Sequence, residues 1–475
     1  MTFRPVHVIT LGLALAACGD DGQKQTPDAA VMPPDAAPDA AMPFTPPTPF
    51  AVPLAAAGPD QLQSATAAPG GKFYAAGFAA QTLTGTRFVT VVKFSATGLD
   101  ASFGDNGKVT TTVEFRGAAD EVDITTQPDG KILVSATVAN ATNANDRDVA
   151  VIRLLDTGAV DTTFGTDGIA TINVNDAILV GTALTGTDAS RGLTANAAGI
   201  FLHAISRGVG DKTGGGPRTD TDFTVVKLTP AGAVDTTFGT NGQFRLDIVE
   251  SDATSRGIRV LDDGKILAGG YANSPGVGTT QPVLYKLTAA GALDTAFAEN
   301  GVFHDTVLLM QTEVYNFAVH GDKFVTAGYG RNAGTLNDYV SLRFDINTGA
   351  RDLTWGGAAI GAMLFDPSGT MLGSNCRNAV ALPDGKTMMI GSTGPGNMPA
   401  QDAVFAVLDA TGKLDTTYGT GIHKFPLGAN GNDQFWGGAV SGDQVAVVGY
   451  KGGGAAAAQT ETTNDDSFAA VFTVR

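Results

Sequence analysis

The stretch AVDTTFGTDG spans residues 159–168, and AVDTTFGTNG spans residues 233–242 of the same chain. Four further stretches repeat the leading aspartate and the aromatic residue that follows it: GLDASFGDNG (98–107), ALDTAFAENG (292–301), ARDLTWGG (350–357) and KLDTTYGTG (413–421). We call these stretches the aspartate phrases. They recur about every 60 residues, which is typical of a repeat architecture in which each copy is one small structural unit.

A second recurring stretch precedes the aspartate phrases and has the form of a hairpin. It reads QPDGKIL at 127–133, LDDGKIL at 261–267 and LPDGKTM at 382–388. Asp-Gly before an apolar run is a hairpin signal, because the type I′ turn needs positive φ at its central residues. Weaker versions bring the number of predicted hairpins to seven: 68–77, 196–204, 320–328 and 441–449.

An apolar third strand follows each hairpin, and a fourth strand follows each aspartate phrase, so that a unit has four strands. The aspartate suits an Asx-turn, and we expect the aromatic residue to fill the space between neighbouring sheets. Seven such units predict an all-β fold, a seven-bladed β-propeller with four-stranded blades.

The two ends of the chain predict how the ring closes. The last unit stops after its third strand, and PFAVPLA at 49–55 precedes the first hairpin without an aspartate phrase. We therefore expect this N-terminal segment to be the outer strand of the last blade, which leaves no open ring edge. The predicted propeller domain occupies residues 46–475.

The alternation of DGKIL-like hairpins with aspartate phrases at this spacing resembles the bacterial delta-60 repeat, a β-propeller repeat of unknown function. The resemblance covers residues 49–475, with departures at NAAGI (196–200), RDLTWGG (351–357) and SGDQ (441–444). It implies the propeller fold, and it carries no catalytic residues to transfer to this chain.

The first residues predict a lipoprotein signal peptide. Residues 1–17 contain an apolar run that is too short to span a bilayer as a mature helix. The run leads into LAAC (15–18), which resembles the lipobox of bacterial lipoproteins. The resemblance implies that Cys18 carries the lipid, and the alternative is an ordinary secretory peptide with an incidental cysteine.

Residues 18–45 are rich in proline, aspartate and alanine and cannot bury enough apolar surface to fold. We expect a disordered tether between the lipid and the propeller. Because Gly19 rather than an aspartate follows the cysteine, the resemblance implies an outer-membrane lipoprotein of the cell envelope. It could face either the periplasm or the cell surface.

Composition and motifs narrow the function classes. The formal net charge of −17 opposes binding to a phosphate backbone, so we expect no nucleic-acid partner. Apart from Cys18, Cys376 is the only cysteine, which excludes an internal disulfide framework. The five histidines share no metal-ligand spacing, and the common hydrolase, metalloprotease and P-loop motifs are absent.

Variable insertions follow the second strands at 137–147, 207–221, 272–281, 393–401 and 451–465. Insertions confined to one face often mark the binding face of a repeat protein. Two adjacent positions at the start of the first strands should lie near the axis on that face. They supply the candidate ligand-binding residues Arg191, Arg256, Tyr315, Arg377, Asn378 and Trp436.

Three arginines with aromatic neighbours suit an anionic or sugar-like ligand. Alternatively, these arginines pair with nearby carboxylates such as Asp188 and Asp252, or their side chains face away from the axis. A shift of one residue in strand register would exchange the two faces of the strand.

Aspartates at the start of the third strands make Ca²⁺ the one cofactor to consider, because carboxylate oxygens are its ligands. They are Asp148, Asp222, Asp338, Asp402 and Asp466, with Asp146, Asp220 and Asp465 close to them in sequence. Turn capping by aspartate is the competing interpretation and needs no metal. We therefore expect no cofactor.

The sequence favours a non-enzymatic function: a monomeric, lipid-anchored propeller that binds an envelope protein or glycan. The alternative is an envelope hydrolase, lyase or dehydrogenase with its site in the central funnel, because a fold alone does not fix a function. A convergent set of titratable side chains in the funnel would favour the enzyme.

Overall fold

β-Strands provide almost all the regular structure of this chain, as its turn-rich sequence predicts. The structure, a computed structural model, describes residues 44–474 apart from 56–57, 83, 117–120, 144, 181–182, 186–187, 274–278, 359, 371–372, 395–400, 429–431 and 453–465. The predicted signal peptide, Cys18 and nearly all of the predicted tether therefore lie outside the described residues. Within them, no helix has the length and apolar character needed to cross a membrane.

The strands pair into antiparallel groups, which we call units 1 to 7 in chain order. Their strands are, for unit 1, Asp60–Ala68, Lys72–Ala80, Arg87–Ser95 and Lys108–Glu114; for unit 2, Asp123–Thr126, Ile132–Ala139, Arg147–Leu154 and Ile169–Ile172; for unit 3, Ala189–Asn196, Gly199–Arg207, Thr221–Leu228 and Gln243–Leu246; for unit 4, Ala253–Val260, Ile266–Asn273, Thr280–Leu287 and Val302–His304; for unit 5, Gln311–His320, Lys323–Arg331, Asp338–Asp345 and Ala362–Phe365; for unit 6, Ser374–Ala381, Thr387–Thr393, Ala403–Leu408 and Ile422–Phe425; and for unit 7, Gln434–Ser441, Gln444–Lys451, Asp466–Thr473 and Phe50–Ala51.

Smaller elements complete the described structure. Gly98–Leu99 adds a short strand to unit 1, and Ile178–Val180 pairs with Ala183–Thr185 between units 2 and 3. A single parallel bridge between Thr280 and Gln311 joins units 4 and 5 into one sheet. The short 3-10 helices are Trp355–Gly357, Pro383–Gly385 and Thr416–Tyr418.

The N-terminal strand Phe50–Ala51 pairs antiparallel with the last strand of the chain, as predicted. The amide of Val52 extends this pairing and donates to the carbonyl of Ser467 at 2.8 Å. At the start of unit 1, the buried Asp60 carboxylate accepts from the amides of Ser467 at 2.7 Å and Ala55 at 3.1 Å. One carboxylate therefore holds the first and last parts of the folded chain together.

The first strands of the units follow one another in a cycle. Each packs beside the first strand of the next unit, and that of unit 7 packs against that of unit 1. Apolar side chains fill the space between neighbouring units, as where Phe103 of unit 1 packs with Ile132 and Val134 of unit 2. The first strands therefore surround a common axis.

An ion pair joins the hairpin of a unit to its aspartate phrase. In unit 2, Lys131 Nζ lies 3.0 Å from the Asp161 carboxylate, and Arg153 Nε lies 2.9 Å from it. The Thr163 amide donates to the same carboxylate at 3.2 Å, which confirms the predicted Asx-turn. The same lysine–aspartate pairing recurs in units 1, 4 and 6: Lys72 with Asp100, Lys265 with Asp294, and Lys386 with Asp415.

The aromatic residues of the aspartate phrases are buried between units, as predicted: Phe103, Phe164, Phe238, Phe297, Trp355 and Tyr418. The ring of Phe164 lies against Gly232 of the next unit, where a β-carbon would come within 2.8 Å of it. The adjacent Gly165 amide donates to the carbonyl of Ala231 at 2.9 Å. The phrase thus fastens each unit to its neighbour.

The prediction of a type I′ turn is wrong for the hairpin of unit 2. Gly130 has a φ of +85°, but Asp129 is not among the residues with positive φ, and the Gly130 amide donates to Gln127. A type I turn followed by one left-handed glycine has this geometry. In unit 6, Asp384 and Gly385 have φ values of +58° and +72°, as a type I′ turn requires.

Candidate functional site

A β-bulge interrupts the first strand of six units close to its start. In unit 1, for example, the pairing register shifts between Leu62 and Ser64. The residues at the bulges are Gln63, Arg191, Arg256 with Gly257, Tyr315, Arg377 and Trp436. A bulge leaves its residue unpaired and re-aims the side chain. Five of the six candidate ligand-binding residues occupy this position, and Asn378 follows it.

These side chains surround a pocket at the axis. Its wall includes five of the candidates: Arg191, Tyr315, Arg377, Asn378 and Trp436. The sixth, Arg256, adjoins the wall, because its guanidinium stacks 3.9 Å from the centre of the Tyr315 ring. The volume open to the centres of water molecules is about 40 Å³, which holds about three waters. The structure therefore brings all six predicted residues together around a small space.

The pocket lies at the same end of the sheets as the variable insertions. The first residues of a first strand pair with the last residues of the second strand, as where Ala189 lies opposite Ile205. The insertion at 208–220 begins directly after that second strand, whereas the hairpin lies at its other end. Positions at the start of the first strands therefore share a face with the insertions, as predicted.

The sequence analysis missed Glu121, the carboxylate of the pocket. Arg256 Nη1 donates to Glu121 Oε1, and Arg191 Nη1 lies 3.8 Å from the same oxygen. Glu121 precedes the first strand of unit 2 and lies one position before Val122, the equivalent of the bulge residues. The run DEVD at 120–123 was the only available signal, and acidic runs are frequent in this chain.

The carboxylates expected as alternative partners of the arginines lie elsewhere. Asp188 is buried and accepts from the amides of Val174 at 2.6 Å and Asn175 at 3.1 Å. Burial raises the pKa of Asp188 to about 8. Asp252 is exposed. Asp188 therefore positions the incoming loop of unit 3, and Glu121 is the carboxylate that contacts Arg191 and Arg256.

Arginines and aromatic rings alternate along one side of the pocket. The guanidinium of Arg377 lies 4.8 Å from the ring centre of Tyr315 and 4.8 Å from that of Trp436. Tyr315 therefore lies between Arg256 and Arg377. The Tyr315 and Tyr329 hydroxyls are 3.0 Å apart, and burial raises the pKa of Tyr315 well above its usual value. The tyrosine stays neutral, and the stack is held by cation–π attraction.

Arg377 differs from the other two arginines in its partners. Among the residues that the structure describes, no carboxylate lies within ion-pair distance of its guanidinium. Its Nε is buried and has no hydrogen-bond partner, which is also true of the Arg256 Nε. The side chain as a whole is half-buried, so the guanidinium is reachable from the pocket. Arg377 is therefore a cation without a carboxylate of its own.

Short polar side chains form the floor of the pocket. Ser64 donates to the Asp123 carboxylate, and Asn316 Nδ2 donates to Asn378 Oδ1 at 2.9 Å. Burial of Asp123 raises the pKa of its carboxyl group, although Ser64, the Arg259 charge and two backbone amides lower it. A second axial cavity of about 390 Å³ lies beyond this floor and shares these four residues with the pocket. Asn378 thus belongs to the floor rather than to the bulge position.

Three of the predicted calcium ligands, Asp148, Asp220 and Asp222, accept hydrogen bonds from protein side chains, and Asp465 lies outside the described residues. Carboxylate oxygens of Asp220, Asp222 and Asp247 lie within 4.8 Å of one another. Arg218 Nη2 donates to all three, at 2.7 Å from Asp222 and 2.8 Å from Asp247. A guanidinium occupies the place that a metal ion would need. In unit 2, Asp148 accepts from the side-chain amide of Asn140 at 2.8 Å, and Asp146 accepts from the backbone amide of Ala177 at 3.1 Å, which is a capping contact.

Comparisons with known proteins bear on the fold. Residues 127–164 and 261–297 match the family model described as a domain of unknown function (DUF5122) beta-propeller. No match was found among curated proteins.

Similar solved structures include the beta-propeller domain of the Trilobed protease from Pyrococcus furiosus, with 13% identity, 86% of this chain and 95% of that chain covered, and a TM-score of 0.41. A protein of unknown function from Dyadobacter fermentans has 10% identity, with 90% and 99% covered and a TM-score of 0.42. The polysaccharide lyase Uly1 has 10% identity, with 88% and 90% covered and a TM-score of 0.46. By its strand pairing this chain is an all-β protein, and two of its segments match a beta-propeller repeat family of unknown function.

Proposed function

We propose that this protein is a lipid-anchored β-propeller of the cell envelope that binds an envelope protein or glycan. It forms a ring of seven four-stranded blades, and the N-terminal strand completes the last blade. Cys18 carries the lipid, residues 18–45 tether the ring to the outer membrane, and the protein acts as a monomer without a cofactor. Its partner contacts the face that bears the variable insertions and the axial pocket.

Two features support a ring of seven blades. Each of units 1 to 7 pairs four strands, and the first strands contact one another in a cycle that returns from unit 7 to unit 1. The pairing of Phe50–Ala51 with the last strand gives unit 7 its fourth strand. Both features fit a closed propeller, in which closure removes the exposed strand edges.

The pocket is the observation that carries the binding function. Buried arginines and carboxylates are costly unless each is fully paired, so a purely structural axis would be filled by apolar side chains. Here the bulges turn Arg191, Arg377 and Trp436 toward one small space on the insertion face. Such a set of polar and aromatic groups in a concave surface is typical of a binding site.

A capture experiment tests the binding function. The full-length protein, purified in detergent, is exposed to envelope extract and to a glycan panel, and bound material is identified by mass spectrometry. We expect Trp436→Ala to weaken capture. The control Asp262→Ala changes an exposed residue in the hairpin of unit 4, on the other face, and should leave capture unchanged. Loss of capture in Asp262→Ala with full capture in Trp436→Ala would reverse the assignment of faces.

Membrane fractionation tests the anchor. We expect Cys18→Ala to move the protein from the membrane fraction to the soluble fraction, because lipid attached at this residue supplies the membrane affinity. Cys376→Ala is the matched control, since Cys376 is buried in the propeller and should remain irrelevant to anchoring. Retention of Cys18→Ala in the membrane fraction would contradict the anchor.

The enzyme alternative requires an acid or base in the funnel that can exchange protons with a substrate. Of the two pocket carboxylates, Glu121 contacts Arg256, and Asp123 accepts from Ser64 and from the Leu193 amide at 2.8 Å. No histidine lines the described pocket. Glycans incubated with the protein should therefore be recovered unchanged. Cleavage that is lost in Glu121→Gln would favour the enzyme instead.

A further inference from the structure

We propose that the axial pocket is a carboxylate site that recognises an acidic sugar, with Arg377 as the group that pairs with the carboxylate. The proposal rests on the proposed binding function and specifies its ligand. It follows from the partners of the pocket charges, from the size of the pocket and from the polarity of its wall.

Of the three candidate arginines, only Arg377 lacks a carboxylate partner, so the pocket can bind one anion there. Glu121 is engaged by Arg256 and contacted by Arg191, whereas Arg377 has only aromatic rings at its faces. A guanidinium stacked between Tyr315 and Trp436 is held in a fixed plane, and its edge remains available for hydrogen bonding. The two oxygens of a carboxylate would supply partners to that edge.

The nearby Glu121 limits the charge of the ligand. A group with two negative charges would gain from Arg377 and be repelled by Glu121 at short range. A group with one negative charge is repelled less. Arg259 also lines the pocket, but it interacts electrostatically with the Asp123 carboxylate, whose pKa it lowers. The repulsion from Glu121 favours a carboxylate over sulfate or doubly charged phosphate. The fork of an arginine also matches a carboxylate, with which it forms two parallel hydrogen bonds.

The size of the pocket limits what enters it. A volume of about 40 Å³ for water centres corresponds to about three water molecules. A planar carboxylate, with three heavy atoms, fits this space, whereas a complete sugar ring does not. The rest of the ligand therefore lies at the mouth, beside the half-buried ring of Trp436.

The wall of the pocket favours a sugar over a peptide as the carrier of the carboxylate. Among its described residues only Val122 and Ile258 are aliphatic. A peptide side chain docks into apolar surface, which this wall lacks, whereas sugar hydroxyls pair with polar groups. Trp436 Nε1 donates to Gln434 Oε1 at 2.9 Å, which fixes the indole at the mouth. A fixed aromatic ring beside amides presents a surface for one face of a sugar ring.

Tryptophan fluorescence of the full-length protein in detergent provides the test. The chain has two tryptophans, and Trp355 is fully buried in unit 5, so a change on ligand addition reports Trp436. We expect saturable binding of D-glucuronate. D-glucuronamide, which has the same shape but no charge, should bind at least about tenfold more weakly, since charged pairing is lost. N-acetylglycylglycine, sulfate and phosphate should each also bind more weakly than glucuronate.

Variants then locate the site. We expect Arg377→Gln to weaken glucuronate binding about tenfold or more and Arg377→Lys to weaken it less, because lysine keeps the charge and loses the fork. Arg351→Gln is the control, since Arg351 lies in the aspartate phrase of unit 5 on the other face, and it should bind as the native protein does. Unchanged binding in Arg377→Gln would overturn the site.

Comparison of the native protein with different ligands remains decisive even if a variant fails to fold. Equal binding of glucuronate and glucuronamide would contradict the claim that the site recognises a carboxylate. Equal or tighter binding of N-acetylglycylglycine would contradict the claim that the carboxylate belongs to a sugar. Tighter binding of sulfate or phosphate would contradict the claim that the site prefers a group with one negative charge. If glucuronate does not bind while Trp436→Ala still loses its captured partner, the carboxylate site fails and the binding function stands. If capture is also insensitive to Trp436→Ala, the binding function fails with it.

Discussion

At the scale of single residues, this chain uses aspartate in two opposite ways. In the aspartate phrases, hydrogen bonds from Lys227 and Thr237 lower the pKa of Asp235 to about 2. At the starts of first strands, burial raises the pKa of Asp60 to about 6 and that of Asp188 to about 8. The first kind stabilises the fold above its unfolded pKa of about 3.9 and loses that effect as the pH falls to about 2. Asp60 and Asp188 bind protons more tightly in the folded state, so they stabilise the fold at low pH and lose this contribution as the pH rises through their raised pKa values.

The free energy of unfolding should therefore fall as the pH rises from about 4 to 8, through the raised pKa of Asp188. Asp188→Asn should reduce the slope of unfolding free energy against pH by the equivalent of about one bound proton. The substitution keeps both hydrogen bonds, because an amide oxygen can accept from both loop amides. It removes no other contact, because the second carboxylate oxygen has no partner. Urea unfolding at pH 5 and pH 8 measures the effect. Asp252→Asn, at a neighbouring exposed position, should leave the slope as it is. An equally steep decline in Asp188→Asn would show that another group is responsible.

Replacing the leading aspartate of an aspartate phrase should lower the unfolding free energy more than replacing the other acidic residue of the same phrase. Asp161→Asn removes the ion pairs with Lys131 and Arg153 and should cost about 1.5–3 kcal/mol of unfolding free energy at pH 7. Asp167→Asn, in the same phrase, is the control, because asparagine also adopts the positive φ of +51° found there. The difference between the two variants should shrink as the pH falls below about 4. Equal stabilities at pH 7 would refute a structural role for the recurring lysine–aspartate pair.

At the scale of elements, the sequence predicted where strands and turns lie better than it predicted their register. Asp-Gly and the aspartate phrase are local signals, so the hairpins and the Asx-turns followed from them. The bulge is not local: Gly257, beside the bulged Arg256, has no room for a β-carbon, which would come within 2.9 Å of Asn316 of the next unit. Close packing between first strands, which one sequence does not display, decides that Tyr315 and Trp436 occupy the bulge.

The closing strand allows a covalent test. Ala51 lies opposite Phe468 in the antiparallel pair, and directly opposite residues are within the reach of a disulfide. We expect Ala51→Cys with Phe468→Cys to form a disulfide under oxidising conditions and to raise the unfolding free energy by about 2–4 kcal/mol. The control pair, Ala51→Cys with Thr473→Cys, places the second thiol at the far end of the same strand and should stay reduced. A disulfide in the control, or none in the test pair, would show that the N-terminal strand does not pair as described.

At the scale of the whole molecule, the aspartate phrases lie on one face and the variable insertions lie on the other, and the two faces have different roles. On one face, lysine–aspartate pairs join each hairpin to the aspartate phrase of its own unit, and the buried aromatic rings fasten neighbouring units. The opposite face carries the insertions and the axial pocket. The six candidate residues were predictable because they recur at two adjacent positions near the start of the first strands. Glu121 was not, because its contact with Arg256 joins residues 135 positions apart.

The central claim is that partner binding runs through the axial pocket on the insertion face. Its most direct test is the capture of the envelope partner by the full-length protein in the presence of a competing ligand. We predict that glucuronate displaces the captured partner and that glucuronamide at the same concentration does not, because only the charged form pairs with Arg377. Capture that persists at saturating glucuronate, in a protein that demonstrably binds it, would contradict the claim.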